Sequence, residues 1–228
     1  INMANTKLTE QEAARQEAIQ ETVSKTEQFL NENKKTIYGV LIAAVVIGLG
    51  VLAYTQFILK PKQREAMEQM YKAENVFAAG EYALALEGDG NTLGFAEIAK
   101  QYGNKAGAAV YLYAGVCELQ AGNWQAAIDY LKKYNGKDAI LASRATANIG
   151  DAYVGLENYA EAVKYFEKAA GMSNNIYSGE YLLKAGVAYE EMGKNAEALA
   201  CYNKIKNDYP QSVEAYDIDK YITRIESK

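Results

Sequence analysis

The sequence predicts an all-α protein. A single transmembrane helix is followed by an α-solenoid of about four helix pairs, the first of them degenerate, and by a C-terminal capping helix. Three observations lead to this prediction. The 228 residues include only two prolines, and proline is the strongest helix breaker. Residues 37–59 are almost entirely apolar. Downstream, a glycine, alanine and aromatic pattern occurs three times at nearly constant spacing.

The N-terminal part of the chain combines a polar tail with an apolar run. Residues 1–36 predict a polar tail that is either a solvated helix or partly disordered. Residues 37–59 would span roughly 35 Å as a helix, enough to cross a bilayer with some tilt. A cleaved signal peptide is the alternative, but its leader is normally far shorter, and no small-residue cleavage site follows the run. We therefore predict an uncleaved anchor in contact with the lipid bilayer.

Basic residues flank this anchor on both sides in nearly equal numbers. The positive-inside rule needs a clear excess on one side to orient a membrane helix. The sequence physics alone therefore leaves the orientation open. The flanking residues are Lys25, Lys34 and Lys35 before the anchor, and Lys60, Lys62, Arg64 and Lys72 after it.

Three glycines, Gly115, Gly150 and Gly186, define the repeat and lie 35 and 36 residues apart. Each is predicted to lie on the first helix of a pair, where a missing side chain lets the second helix come close. Alanines on the second helices are expected to serve the same contact, and larger residues four positions later to pack against the next unit. These positions are Ala127, Ala162 and Ala198, and then Leu131, Phe166 and Tyr202.

This pattern resembles the tetratricopeptide repeat over residues 108–212. It departs from the usual pattern at Glu157, where a turn glycine is usual, and at Asn195, where an aromatic residue is usual. The first unit is degenerate because a glycine-rich segment, residues 87–94, interrupts its second helix. Within a domain of residues 60–228, the predicted repeats are about 63–103, 108–141, 143–176 and 179–212, and the predicted capping helix is 213–227.

The composition argues against several classes of function. A net charge of -5, without a long basic cluster, argues against nucleic acid as a partner. The absence of histidine excludes Ser-His-Asp and Cys-His catalysis. Cys117 and Cys201 are far apart, so we expect two buried thiols, with a disulfide between them less favoured. The glycine-rich segment lacks the spacing of phosphate-binding loops and is expected to be a connecting loop. We predict no catalytic, metal-binding or cofactor-binding residues, hence no cofactor and no enzyme.

Polar residues at helical spacing predict a groove along the first helices of the repeats. Arg144, Asn148 and Asp151 lie at positions i, i+4 and i+7, so they share one face of a helix. Such a face could hold an extended peptide or another protein through hydrogen bonds; the alternative is a solvated surface without a ligand. The predicted groove residues are Tyr113, Gln120, Arg144, Asn148, Asp151, Glu180, Lys184 and Glu191.

A polar tail, one membrane helix and a compact array of four such units together resemble the YfgM-type ancillary subunit of the SecYEG translocon. The resemblance implies a bacterial inner-membrane protein with a cytoplasmic N-terminus and a periplasmic repeat domain. It also implies partners at SecYEG, including a membrane-anchored periplasmic prolyl isomerase chaperone, and no catalysis. The alternatives are a membrane-tethered scaffold of another envelope or cytoplasmic membrane complex, and a structural homo-oligomer.

Overall fold

The structure is a computed structural model that describes the backbone of residues 2–172 and 177–227. Side chains are described at Arg15, at residues 23–25, and in the described part of the chain from Glu27 onwards. The chain divides into two compact units, residues 1–60 and residues 61–228. In the described ranges all regular structure is helical, apart from one isolated bridge between Gly88 and Leu93.

The first unit is one long helix. Helix α1 covers Asn2–Tyr54, and a π-helical segment, Thr55–Leu59, follows it. Large apolar side chains such as Leu41 and Ile47 are 55% and 67% exposed. An 18-residue window has a mean hydropathy of 2.4, and none of it is buried. A helix of this length and composition could cross a bilayer, so the single-pass anchor at residues 37–59 stays a prediction.

The second unit is a stack of helix pairs, which confirms the predicted all-α solenoid with its degenerate first unit. Three complete pairs are α5 with α6, α7 with α8, and α9 with α10, and each pair is joined by a short turn. The 19-residue helix α2 and the short helices α3 and α4 precede them, and α11 follows. The bounds are α2 Lys60–Ala78, α3 Tyr82–Glu87, α4 Phe95–Gln101, α5 Ala109–Gln120, α6 Trp124–Leu131, α7 Ala139–Gly155, α8 Tyr159–Met172, α9 Ser178–Glu191, α10 Asn195–Asp208 and α11 Ile218–Glu226.

In each complete pair, a glycine of the first helix leaves a space that a large side chain of the second helix fills; we call this space a glycine slot. A Cβ added at Gly150 would lie 2.6 Å from Cε1 of Phe166, closer than carbon atoms can approach without a shift. The large side chain therefore fills the space that the glycine leaves open. It also joins the cluster of the following unit, as predicted, but the contact inside its own pair was not foreseen. The three slots are Gly115 with Leu131, Gly150 with Phe166, and Gly186 with Tyr202.

The turns inside the pairs use the left-handed backbone region. Gly122 and Gly193 have φ values of +75° and +70°, as expected for turn glycines. Glu157 takes the same position in the middle pair with a φ of +57°. A side chain in this region costs roughly 1 kcal/mol, yet the turn is kept. The departure of the sequence at Glu157 therefore leaves the repeat geometry intact.

Two predicted boundaries differ from the structure. Helix α7 begins at Ala139, inside the predicted repeat 108–141, because the Asp138 carboxylate accepts the N–H of Leu141 at 2.8 Å and caps the helix. The predicted capping helix 213–227 is a 3-10 turn, Glu214–Tyr216, followed by α11. The face of α11 that packs onto α10 buries Ile218, Ile222 and Ile225.

Both cysteines are free and buried, as expected. Cys117 and Cys201 are 1% and 6% exposed and belong to different hydrophobic clusters. Burial raises the pKa of Cys117 to about 12 and that of Cys201 to about 11. Both thiols are therefore protonated near neutral pH and poorly nucleophilic.

The glycine-rich segment is a compact turn. The Asp89 carboxylate accepts the N–H groups of Asn91 and Thr92 at 2.9 Å and 2.6 Å. These hydrogen bonds lower the pKa of Asp89. A Cβ at Gly88 would lie 2.3 Å from the carbonyl oxygen of Thr92, so the chain closes tightly on itself here. The segment is the connecting loop that the sequence predicts.

Candidate functional site

A groove of about 540 Å³ lies between the first helices of the three complete pairs, α5, α7 and α9. Side chains from all three helices face it, and Trp124 at the start of α6 closes one wall. Helical spacing places the polar residues of each helix on this face. Six predicted groove residues line it, namely Gln120, Arg144, Asn148, Asp151, Glu180 and Lys184.

Lys184 lies between two carboxylates in the groove. Its Nζ is 3.0 Å from Oδ2 of Asp151 and 3.1 Å from Oε1 of Glu180. Burial acts to lower the pKa of Lys184, but attraction from the two carboxylates outweighs it and raises the pKa. Burial also raises the pKa of Asp151, although Lys184 acts against this. Lys184 stays protonated, and the trio bridges α7 and α9.

Arg144 is the other cation of the groove and has no such partner. Its side chain is exposed, and within the described ranges the guanidinium forms neither an ion pair nor a hydrogen bond. Its charge acts to lower the pKa values of Tyr113 and Tyr181, although burial, the larger effect, raises both. Five N–H donors in a planar fork are thus available for a carboxylate or for carbonyl oxygens.

Sequence reasoning missed the apolar wall of the groove. Trp124 was not among the predicted groove residues. In the structure, Trp124 packs onto α7, and a Cβ at Gly155 would lie 2.4 Å from Cδ2 of its indole. The sequence carries a sign of this contact: Gly155 has no side chain, whereas the corresponding position of the next pair is the larger Glu191. The glycine leaves room for the indole of Trp124. The other apolar lining residues are Val116, Leu119, Val154, Tyr177 and Tyr181.

A second groove of about 350 Å³ adjoins the first and shares Asp151, Val154 and Lys184 with it. Glu191, a predicted groove residue, lines this second groove rather than the first. Its other walls are largely apolar and come from α8, α9 and α11. The two grooves meet at Asp151, Val154 and Lys184; the first has more polar groups in its lining, and the second is largely apolar.

Tyr113 is the predicted groove residue that lines neither groove. Its ring stacks on Phe95, with ring centroids 5.0 Å apart and 9° between the planes. Phe77 meets the same ring edge-on at 5.0 Å. Burial raises the pKa of Tyr113. Helix α4, which the sequence could not place in space, presents Phe95 to Tyr113 and draws it into an aromatic cluster, and a role of Tyr113 in partner binding stays a prediction.

The lining of the two grooves offers hydrogen-bond donors, acceptors and apolar surface. In the part of the chain that the structure describes, no group of three or more acidic or cysteine side chains is placed to hold a metal ion. The charged groups are either paired with each other, as at Lys184, or open to solvent, as at Arg144. This combination of a few polar groups on an apolar surface is typical of binding sites.

Comparisons with known proteins agree with the repeat pattern. Tetratricopeptide repeat family models match residues 95–139, 143–176 and 180–212. Fourteen chains of solved structures match. One is the crystal structure of MamA, which is 19% identical with a TM-score of 0.53 over 68% of this chain and 92% of that chain. At this identity the likeness shows the fold alone. No curated protein matches the chain at a significant level.

Proposed function

We propose, from the premise that this chain is a tetratricopeptide repeat protein, that it is a membrane-anchored adaptor for protein–protein interaction. In this proposal residues 37–59 anchor the chain in the lipid bilayer, and residues 60–228 form the interaction domain. The two adjoining grooves hold an extended segment of a partner protein. The protein performs no catalysis and needs no cofactor.

The observation that carries this proposal is the convergence of six polar side chains from three successive repeats on one groove. A peptide backbone has a donor and an acceptor at every residue, and a groove with regularly spaced amide and charged groups can satisfy them. Asn148 and Arg144 lie one helical turn apart on α7 and supply donors. Trp124 and Tyr181 supply apolar surface for side chains.

The first candidate partner is the Sec translocon. The tail, anchor and four-unit array resemble the YfgM-type ancillary subunit, which supports a periplasmic repeat domain at the bacterial inner membrane. The partners would be SecYEG and a membrane-anchored periplasmic chaperone. In this role the groove would hold segments of those partners on the periplasmic side of the membrane.

Isolation of the full chain from membranes in mild detergent tests this assignment. We expect translocon subunits to copurify with the wild-type protein, and the double variant Arg144→Ala with Asn148→Ala to lose them. Lys168→Ala, an exposed change on α8 outside both grooves, is the matched control. Translocon subunits that copurify equally with all three proteins would contradict a role for the groove, and their absence from the wild type would contradict the translocon assignment.

A membrane-tethered scaffold of another complex is the second candidate. The basic residues around the anchor, three before it and four after it, lack the clear excess that would orient the helix, so a cytoplasmic repeat domain stays open. Labelling of intact cells with a membrane-impermeant maleimide separates the two candidates. The single variant Lys194→Cys offers an exposed thiol, and the parent protein is the control because burial keeps Cys117 and Cys201 protonated. Labelling in intact cells supports the periplasmic assignment, whereas labelling only after lysis supports a cytoplasmic scaffold.

A further inference from the structure

The capping helix contributes a wall to the second groove. Tyr221 of α11 lines this groove together with Val154 of α7 and Val187 of α9. Val154 and Val187 are 37% and 39% exposed, although both are aliphatic and face the groove. Leu183 completes the wall on α9. An element predicted only to cover the end of the array therefore forms part of an apolar surface that remains open.

Two contacts fix the position of Tyr221, and both of its partners are held by Glu190. Its ring lies 5.3 Å, centroid to centroid, from that of Tyr202, which itself fills the slot at Gly186. The guanidinium carbon of Arg224 lies 4.9 Å above the Tyr221 ring. Arg224 in turn donates to Oε1 of Glu190 at 2.5 Å, and the Tyr202 hydroxyl donates to the same oxygen at 2.7 Å. Tyr221 is thus linked to the last repeat both by its own ring and by Arg224.

At the opposite end of the face, Arg144 can pair with an acidic side chain of a ligand, whereas the Lys184 trio of one cation and two carboxylates carries a net charge of -1. Arg144 is an exposed cation without an ion pair among the described residues, whereas Lys184 is already neutralised by Asp151 and Glu180. From Arg144 to Val154 the chain rises about 15 Å along α7. An extended peptide covers that distance in about four to five residues.

We propose that Tyr221 closes an apolar subsite that takes a large aliphatic side chain of the bound peptide. In the same peptide an acidic residue pairs with Arg144, about four to five residues away along the extended chain. The partner segment is therefore an extended stretch with one acidic and one large aliphatic residue at this spacing. The proposal rests on the proposed function, because it specifies what the groove binds.

Selection of displayed random peptides of about twelve residues on the full chain in detergent micelles tests this subsite. We expect wild-type selections to enrich an acidic residue and an aliphatic residue about four to five positions apart. Selections on Tyr221→Ala should lose the aliphatic preference and keep the acidic one, and selections on Arg144→Ala should do the reverse. Tyr221→Phe keeps the ring and should keep both preferences. Tyr216→Ala is the matched control, because Tyr216 lies close by in sequence and is 85% exposed.

Affinities of one selected peptide and of its aliphatic-to-alanine version sharpen the test. Tyr221→Ala should weaken the first peptide by roughly tenfold and leave the second unchanged, because only the aliphatic side chain contacts Tyr221. Equal weakening of both peptides would mean that Tyr221 acts only through the fold, and would overturn the subsite. Peptides whose acidic preference depends on Arg144 but whose aliphatic preference survives Tyr221→Ala would overturn the subsite and leave the proposed function standing. If the wild type enriches no peptide over the double groove variant, the proposed function itself fails.

Discussion

At the residue scale, the glycine slots explain why the repeat depends on a few small residues. Phe166 is 1% exposed, and its ring occupies the space where a side chain at Gly150 would lie. The same arrangement at Gly186 places Tyr202 so that its hydroxyl reaches Glu190. One missing Cβ therefore sets both the spacing of two helices and the orientation of a buried ring.

We expect Gly150→Ala to destabilise the repeat domain by roughly 1–3 kcal/mol, because the added methyl group would overlap a buried ring that has little room to move. The free energy of unfolding from urea titration of the full chain in detergent measures this. Gly171→Ala is the matched control, since Gly171 also lies in a helix but nothing lies within 4 Å of its Cβ position. It should be neutral or stabilising, because alanine is the better helix former. Equal changes in the free energy of unfolding for the two variants would contradict the claim that Phe166 needs the space left by Gly150.

The sequence identified most groove residues because helical spacing alone places Arg144, Asn148 and Asp151 on one face. It could not place Tyr113, since the stacking partner of that ring comes from α4, a helix outside the regular repeat. Trp124 was missed for a related reason: its role depends on the contact with Gly155 in the following unit. Contacts within one helix follow from spacing, whereas contacts between helices require their relative positions.

At the element scale, α11 is fixed to the last repeat by polar as well as apolar contacts. Its buried isoleucines pack onto the cluster that includes Tyr202. Arg224 and the Tyr202 hydroxyl both bond to Glu190, whose side chain is 10% exposed. Burial, and then the hydrogen bond to Glu190, raise the pKa of Tyr202. The corresponding position of the previous pair is Val154, so this polar link belongs to the end of the array.

Removal of the ion pair between Arg224 and Glu190 should weaken the packing of α11 on the last repeat. We expect Arg224→Ala to lower the free energy of unfolding by about 1–2 kcal/mol, because a largely buried carboxylate loses this cation. Hydrogen exchange should show faster exchange of the amides of Ile218–Glu226 than in the wild type, with α7 and α8 unchanged. Lys220→Ala removes an exposed pair between α11 and Asp217, the residue that precedes it, and should change stability by less than about 0.5 kcal/mol. Unchanged exchange of α11 in Arg224→Ala would show that the isoleucines alone hold the helix.

The periodic sequence pattern predicted which helices form and how they pair, but it did not predict the residues at which they begin and end. The early start of α7 depends on Asp138 as its capping residue, a local signal that the regular repeat spacing concealed. The predicted capping helix is shorter than expected because a 3-10 turn precedes it. The register of the repeat is thus set by packing, and the ends are set by single capping or turn residues.

At the scale of the whole molecule, the apolar segment and the repeat domain differ in where their apolar side chains lie. The apolar side chains of the long N-terminal helix are exposed in the described chain, which suits a lipid environment. The repeat domain buries its own core in three clusters and leaves one face with open polar and apolar grooves. A repeat domain with open grooves is the arrangement expected of a protein that binds other proteins, and we propose that the apolar segment holds it at a membrane.

Photo-crosslinking in native membranes tests most directly whether that face binds a partner. A photoreactive phenylalanine analogue would replace Gln120, which is exposed at the edge of the first groove, and in a second protein Lys168, which is exposed on α8 outside both grooves. The account predicts a discrete adduct with a partner protein at the first position, its loss when Arg144→Ala is added, and no such adduct at the second. Adducts of equal yield at both positions, or an adduct at the first position that persists in Arg144→Ala, would contradict it.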